Sequence, residues 1–501
     1  MYRAGFDCDR YLEAQKRAII ERIGSVEGRL YLEFGGKLLY DYHAARVLPG
    51  YDPNVKLRLL GELSSDAEML VCIHAGDIER RRLRGDFGIT YDVDALKLID
   101  ELRDNGLPVL SVVVTRYTGQ PAAEAFMKGL SRRGVSVFAH PPTMGYPSDV
   151  DRIASAEGYG RNPYIPCSRP LVIVTGPGPG SGKLATCLSQ IYHEHLLGTK
   201  AGYAKFESFP VWNLPLDHPV NAAYEAATAD IADFNLVDPF HLKATGIEAV
   251  NYNRDVEAFP LLQRVYEKIT GSTIVYRSPT EMGVNRIADG IVDDGAIREA
   301  SEQELIRRYF RYRCEYVSGL VESTAVAKAE SLLSQYGLSP ERRSVVLPAR
   351  EEKGGAVGRT PQGAAIELPD GMIVRGRTSE LMSAASALVL NASKVLSGLP
   401  GEMHLLSPGT ISSIARLKST ILGTQNPGLD LEEVLIALSV SAMTSPAADL
   451  AMKSLSSLRG CDAHLTSLPS AGDGSGLREL GVNVTSDPGY PSGNLWAGQP
   501  G

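Results

Sequence analysis

The run Leu171-Val-Ile-Val-Thr175 breaks directly into Gly176-Pro-Gly-Pro-Gly-Ser-Gly-Lys183, and the apolar residues that follow at 184, 188 and 191 keep helical spacing. A buried strand, a glycine-rich turn and a helix start are expected in that order. The junction gathers unpaired N–H groups, the positive end of a helix dipole and the Lys183 ammonium, which together favour a phosphate or carboxylate. Gly176, Gly178, Gly180, Ser181, Gly182, Lys183 and Thr186 are the candidate anion-binding residues.

The loop resembles a P-loop but departs from the established nucleotide patterns. Counting back from Gly182, the Walker arrangement puts Pro177 where its first glycine belongs and Leu184 where a hydroxyl would hold magnesium. Thr186 lies about 200° round a helix from that position. No long apolar run ending in Asp follows, and none of the three leading glycines starts a complete Gly-x-Gly-x-x-Gly. Pro177 and Pro179 lack an N–H, so Gly178, Gly180 and the amides from Ser181 to Leu184 are the available donors. The residues support a phosphorylated or nucleotide-like small anion as ligand; a tight turn that binds nothing is the alternative.

Upstream, strand-type runs (30–34, 69–74, 109–115, 135–140) alternate with helical ones (94–103, 122–132), after a first helix that Asp7 can cap. This order predicts a parallel sheet covered by helices, a three-layer α/β domain over residues 1–220. Ligands of such sheets sit outside the carboxyl ends of the strands. There the chain places Glu33-Phe-Gly-Gly-Lys37 and the candidate pocket residues His74, Asp77, Arg116 and His140, each of which would serve equally well in a local turn or ion pair.

Residues 221–335 read as mostly helical. Ser278-Pro-Thr-Glu281 is a helix start, and a long helix from Glu302 to Ser334 should break near Gly319. Within this region Asn251-Tyr-Asn-Arg-Asp255 reads as a polar loop, whose Asn253 and Arg254 either line a sugar- or amide-bearing ligand or close a capped turn. Residues 336–501 form a C-terminal α/β domain that opens on a hairpin around Pro369-Asp-Gly371 and continues into a helix capped by Thr378 or Ser379. Hairpin followed by apolar helix resembles the cytidine-deaminase topology. Thr378 stands where that family carries a zinc-binding His or Cys, however, and no Pro-Cys-x-x-Cys follows, so zinc chemistry is not expected. Cys461 and His464 have ligand-like spacing without further partners, and His193-Glu-His195 is not a metalloprotease motif. No metal is assigned. The tail from Ser486 reads as a loosely held terminus.

A net charge of −8 leaves no basic excess to neutralise nucleic-acid phosphates, and Arg80-Arg-Arg-Leu-Arg84 reads as a solvated turn. Six singly scattered cysteines suit a reducing, cytoplasmic compartment. No run approaches the roughly 18 apolar residues of a membrane span, and the polar N-terminus lacks a signal-peptide core. A homo-oligomer stays open.

Several separated stretches, among them Leu32-Glu-Phe-Gly-Gly-Lys-Leu-Leu39, Arg84-Gly-Asp-Phe-Gly-Ile-Thr-Tyr91, Gly178-Pro-Gly-Ser-Gly-Lys183, Trp212-Asn-Leu-Pro215, Val250-Asn-Tyr-Asn-Arg-Asp255 and Ser278-Pro-Thr-Glu-Met-Gly-Val-Asn285, resemble a bacterial family catalogued as domain of unknown function 1846. The resemblance spans nearly the whole chain and implies no particular reaction. Some of that family carry the label ATP-dependent zinc protease, whose protease half this sequence does not support. The expectation is an uncharacterised cytoplasmic protein that binds a phosphorylated or nucleotide-like molecule, either as an enzyme acting on it or as a non-catalytic nucleotide-sensing or assembly protein.

Overall fold

A computed structural model of the chain describes residues 4–84, 88–352, 361–424 and 427–492. Residues 85–87 of the Arg84–Tyr91 stretch, and the tail beyond 492, lie outside them. Contacts divide the chain into two units, one of residues 4–225 with 233–301 and one of 226–232 with 302 onward.

The first unit is built on six parallel strands in the spatial order Val137–His140, Val109–Thr115, Ala67–His74, Leu171–Thr175, Arg29–Phe34 and Ala201–Phe206. Leu171–Thr175 is buried along its whole length, as a central strand covered on both faces requires. Its neighbours' apolar runs have the same cause. Helix Lys183–Leu196 packs Cys187, Leu188 and Ile191 onto the sheet face that carries Tyr31, Cys72, Val113, Val174 and Tyr203, and helix Asn253–Thr270 adds Phe259, Leu262 and Val265 to the same core. Because all six strands run one way, their carboxyl ends share one edge. The connections lead toward Val137–His140 until that strand, then turn back. Ala67–His74 and Leu171–Thr175 flank the point of reversal, where a crevice opens in sheets of this kind.

The helical middle is present, as Pro219–Ala227, Pro239–Thr245, Asn253–Thr270, Asp294–Val317 and Ser323–Gln335. Of it, residues 233–301 group with the parallel sheet and residues from 302 with the C-terminal one. The long helix breaks where expected, Gly319 taking φ +72° in the turn. One reading needs correction. Asn251–Asp255 is not a loop: strand Val250–Tyr252 pairs with Asn235–Val237, and Asn253 opens a helix whose apolar repeat Phe259, Leu262, Val265 and Ile269 carries it back to that residue.

The second unit holds a four-stranded sheet in the order Ile373–Arg377, Gly363–Glu367, Asp462–Leu465, Asn483–Ser486, antiparallel across the first two pairs and parallel across the last. The hairpin forms as expected. The helix after it starts later, at Ala384, with Ser383 as its cap, because Ser379 first closes a turn onto Met382. No helix among the described residues is long and apolar enough to cross a membrane, and all six cysteines are free thiols.

Candidate functional site

Helix Lys183–Leu196 starts at Gly182, which takes φ +89° and leaves the first-turn amides without a side-chain cap. The Thr115 hydroxyl donates to the Ser181 carbonyl at 2.7 Å, tying the glycine loop to a strand two places away in the sheet. Lys183 folds back over the loop, its Nζ 3.5 Å from the Gly178 carbonyl. A side chain at Gly178 would strike the Tyr91 ring at 2.2 Å, so only glycine lets the loop lie against that ring. Tyr91 in turn carries the Arg82 guanidinium 5.3 Å from its centroid. Beneath the loop, the hydroxyls of Thr175 and Ser181 are buried with no hydrogen-bond partner among the described residues. Thr186 differs from the rest of the candidate set. It is fully buried with its hydroxyl 3.4 Å from Cys72 Sγ, so it packs the helix onto the sheet and does not face the loop.

The strand ends add positive charge. His74 caps helix Ala75–Glu79, its Nδ1 accepting from the Asp77 amide at 3.2 Å, and Asp77 takes Arg80 at 3.3 Å and Arg82 at 3.6 Å. Burial lowers the His74 pKa, Asp77 opposes this, and Arg116, Arg80 and Arg82 lower it further. Arg80 and Arg82 thus flank Asp77, and all three guanidinium groups act on the His74 imidazole. Arg116 is exposed and holds φ +51°, a left-handed conformation that a non-glycine residue keeps only when its surroundings impose it.

His74, Thr115 and His140 share one register row across three strands. His140 reaches this edge but is closed from solvent at 3% exposure, and burial pushes its pKa down to about 4. The unfolded chain therefore takes up a proton first as pH falls, and the stability present above pH ~6.5 is lost on the way to pH ~4. We expect His140→Gln to lose about 2 kcal/mol less than the wild type between pH 7 and 4.5. Urea unfolding at both pH values checks this; an unchanged acid slope would mean that the titration lies elsewhere.

A second group stands on the other side of the loop strand. Glu33 pairs in register with Val174, two residues before Gly176, and with Lys205 on its other side. Two strand spacings, about 10 Å, separate Val174 from Lys205. Lys205 Nζ lies 2.6 Å from both Asp255 oxygens and 3.2 Å from Glu207 Oε1, and also donates to the Tyr252 hydroxyl. Tyr252 donates to Glu207 at 2.6 Å, and Tyr203 donates to Glu33 at 2.7 Å. The structure brings Asn253 and Arg254 to this group rather than to His74. Arg254 pairs with Asp233 at 2.6 Å, and Asn253 accepts from the Phe234 amide.

Sequence reasoning passed over Lys205, Glu207 and Tyr252; Arg80 and Arg82 are exposed, as a solvated turn requires, and also reach Asp77. The available signal was a lysine inside the apolar run 201–206, a residue type rarely buried without partners. Other motifs are structural here. Glu194, between His193 and His195, is buried and takes Arg29 and the hydroxyl of Tyr31. Cys461 donates to the Ser457 carbonyl while His464 pairs with Thr485, so the two do not share a centre.

The N-terminal model of domain of unknown function DUF1846 matches residues 4–337 and the C-terminal model matches 341–496. The chain is 52% identical to a UPF0371 protein of Clostridium tetani and 53% identical to one of Clostridium botulinum, over 99% of each chain in both cases. Both the match to the two models and the identity to these relatives run end to end, and the chain belongs to the DUF1846 family.

Proposed function

We propose that the first unit binds a phosphorylated or nucleotide-like small molecule along the carboxyl edge of its parallel sheet, with the phosphate on the glycine loop and Lys183. The observation that carries this reading is an uncapped helix start at the point where the strand order reverses, with Lys183 folded over its loop, Thr115 linking the loop to the strand row of His74 and Tyr91 carrying Arg82 against Gly178. The loop is P-loop-like in its order of strand, glycine turn, lysine and helix. Leu184 supplies no hydroxyl for magnesium, so binding should not require that ion. The ligand is a free small anion rather than nucleic acid or a membrane, and free cysteines throughout support a cytoplasmic setting. The order of the C-terminal strands supports a cytidine-deaminase-like topology whose Thr378, hydrogen-bonded to Gln362, takes no part in zinc chemistry. A non-catalytic nucleotide sensor is the second reading, favoured by the absent magnesium-binding hydroxyl.

Calorimetry and thermal shift with ATP, ribose 5-phosphate and pyrophosphate, with and without magnesium, test the proposal. At least one should stabilise the wild type, and Lys183→Ala should bind it roughly ten- to a hundredfold more weakly, as expected for a charge-assisted contact worth about 1.5–3 kcal/mol. Equal binding by both proteins, or none, would reduce the loop to a structural turn.

A further inference from the structure

We propose that Glu207 is the proton-exchanging group of this site, a carboxyl open through Oε2 to a hydroxyl of the molecule whose phosphate lies on the glycine loop. The orientation of that molecule rests on the phosphate reading above. Three carboxylates, Glu33, Asp255 and Glu207, face a single ammonium, Lys205. Asp255 holds Lys205 with both oxygens, and Glu33 is occupied by Tyr203. Arg254 cannot help, since its charge goes to Asp233. Glu207 meets Lys205 at 3.2 Å and the Tyr252 hydroxyl at 2.6 Å through Oε1 alone. It is also the most open of the cluster, with 22% of its side chain exposed against 16% for Asp255 and 9% for Lys205.

The fold makes room for this carboxyl. A side chain at Gly35, directly after strand Arg29–Phe34, would lie 2.5 Å from Glu207 Cγ and 2.6 Å from Oε1. The contacts from Tyr252 and Lys205 both fall on Oε1, so Oε2 is the atom assigned to the ligand hydroxyl. Burial pushes the Glu207 pKa up to about 7, Asp255 and Glu33 add to the rise, and Lys205 and Tyr252 oppose it. Tyr224, from helix Pro219–Ala227, also faces the cluster; burial holds it well above the ordinary tyrosine range, so it stays neutral. Glu207 can therefore both take and return a proton near neutrality. In the forward step the ligand O–H bond breaks, its proton bonds to Oε2 and its electron pair remains on the ligand oxygen; the return step reverses this. Lys205 and Tyr252 act as positioning residues. The distance of about 10 Å between the loop strand and Lys205 suits a molecule with its phosphate at one end and the reacting hydroxyl at the other.

Dicyclohexylcarbodiimide, which attacks protonated carboxyls, gives a test that needs no known substrate. Wild-type protein is labelled between pH 6 and 8, and the modified residue is assigned by peptide mapping, so no Glu207 variant has to fold. Glu207 should be labelled several-fold faster at pH 6 than at pH 8, since its raised pKa puts the midpoint above the ordinary carboxylate range. ATP or ribose 5-phosphate should block the labelling in the wild type and fail to block it in Lys183→Ala. Labelling with the expected midpoint, but no binding of either compound by calorimetry, would sink the phosphate reading and leave Glu207 standing as an open proton-exchanging carboxyl. No label on Glu207, a flat pH profile, or labelling unaffected by a compound that calorimetry shows to be bound would overturn the proposal.

Discussion

Lys205→Met is expected to lower the unfolding free energy by about 3–5 kcal/mol, the usual cost of removing one partner from a buried ion pair. Lys205 keeps only 9% of its side chain exposed, and it is the ammonium against which Asp255 and Glu207 are both set. Without it, these carboxylates and Glu33 repel one another in a half-buried pocket, and the Tyr252 hydroxyl loses a donor. The loss should ease in acid, where protonation removes the repulsion, so the gap to the wild type narrows between pH 8 and pH 5. The double variant Lys205→Met/Asp255→Leu should recover about half of the loss or more, because it removes the stranded charge together with its partner. Urea unfolding of the three proteins decides the matter. A cost below about 1 kcal/mol would mean that the group is hydrated like a surface pair.

Gly176→Ala is expected to cost about 2–4 kcal/mol and to displace the glycine loop. A methyl group there would lie 2.3 Å from the Cys72 carbonyl oxygen and 2.7 Å from Ser181 Oγ. The first of these is backbone of a buried strand, which cannot rotate away, so the loop must move instead. Movement of the loop pulls Ser181 from Thr115 and shifts Lys183, and anion binding should fall with stability. Gly180→Ala is the natural control: Gly180 has φ +73° but meets nothing within 4 Å, so its cost is limited to backbone strain of about 1 kcal/mol. Thermal melts and pyrophosphate titrations of the two variants separate the cases. Equal behaviour would show that the close approach at Gly176 is not what fixes the loop.

The glycine loop could be read before folding because all of its determinants are local: an apolar run, turn residues and a helical repeat within some twenty positions of one another. The same holds for the break at Gly319 and the hairpin at Gly371. The cap expected at Thr378 or Ser379 falls at Ser383, because all three are good caps by type and only the turn onto Met382 selects the last. The polarity of Asn253 and Arg254 suggests a loop, but the two form the first turn of a helix. Thr186 stands three residues after Lys183, and one turn of helix is enough to aim it into the core.

Local order in the chain was thus sufficient for the alternation of strands and helices, the position of the loop and the placing of His74, Asp77, Arg116 and His140 at strand ends, since periodicity and turn chemistry act over a few residues. Packing alone could choose the spatial order of the strands, which sets Glu33 between the loop strand and Lys205. It likewise brought Asp255 to Lys205 from fifty residues along the chain and laid Arg82 on the ring that borders Gly178. Such meetings depend on long-range burial, which compensates charges only after the backbone has closed around them, and no short-range pattern in the amino acids encodes that geometry.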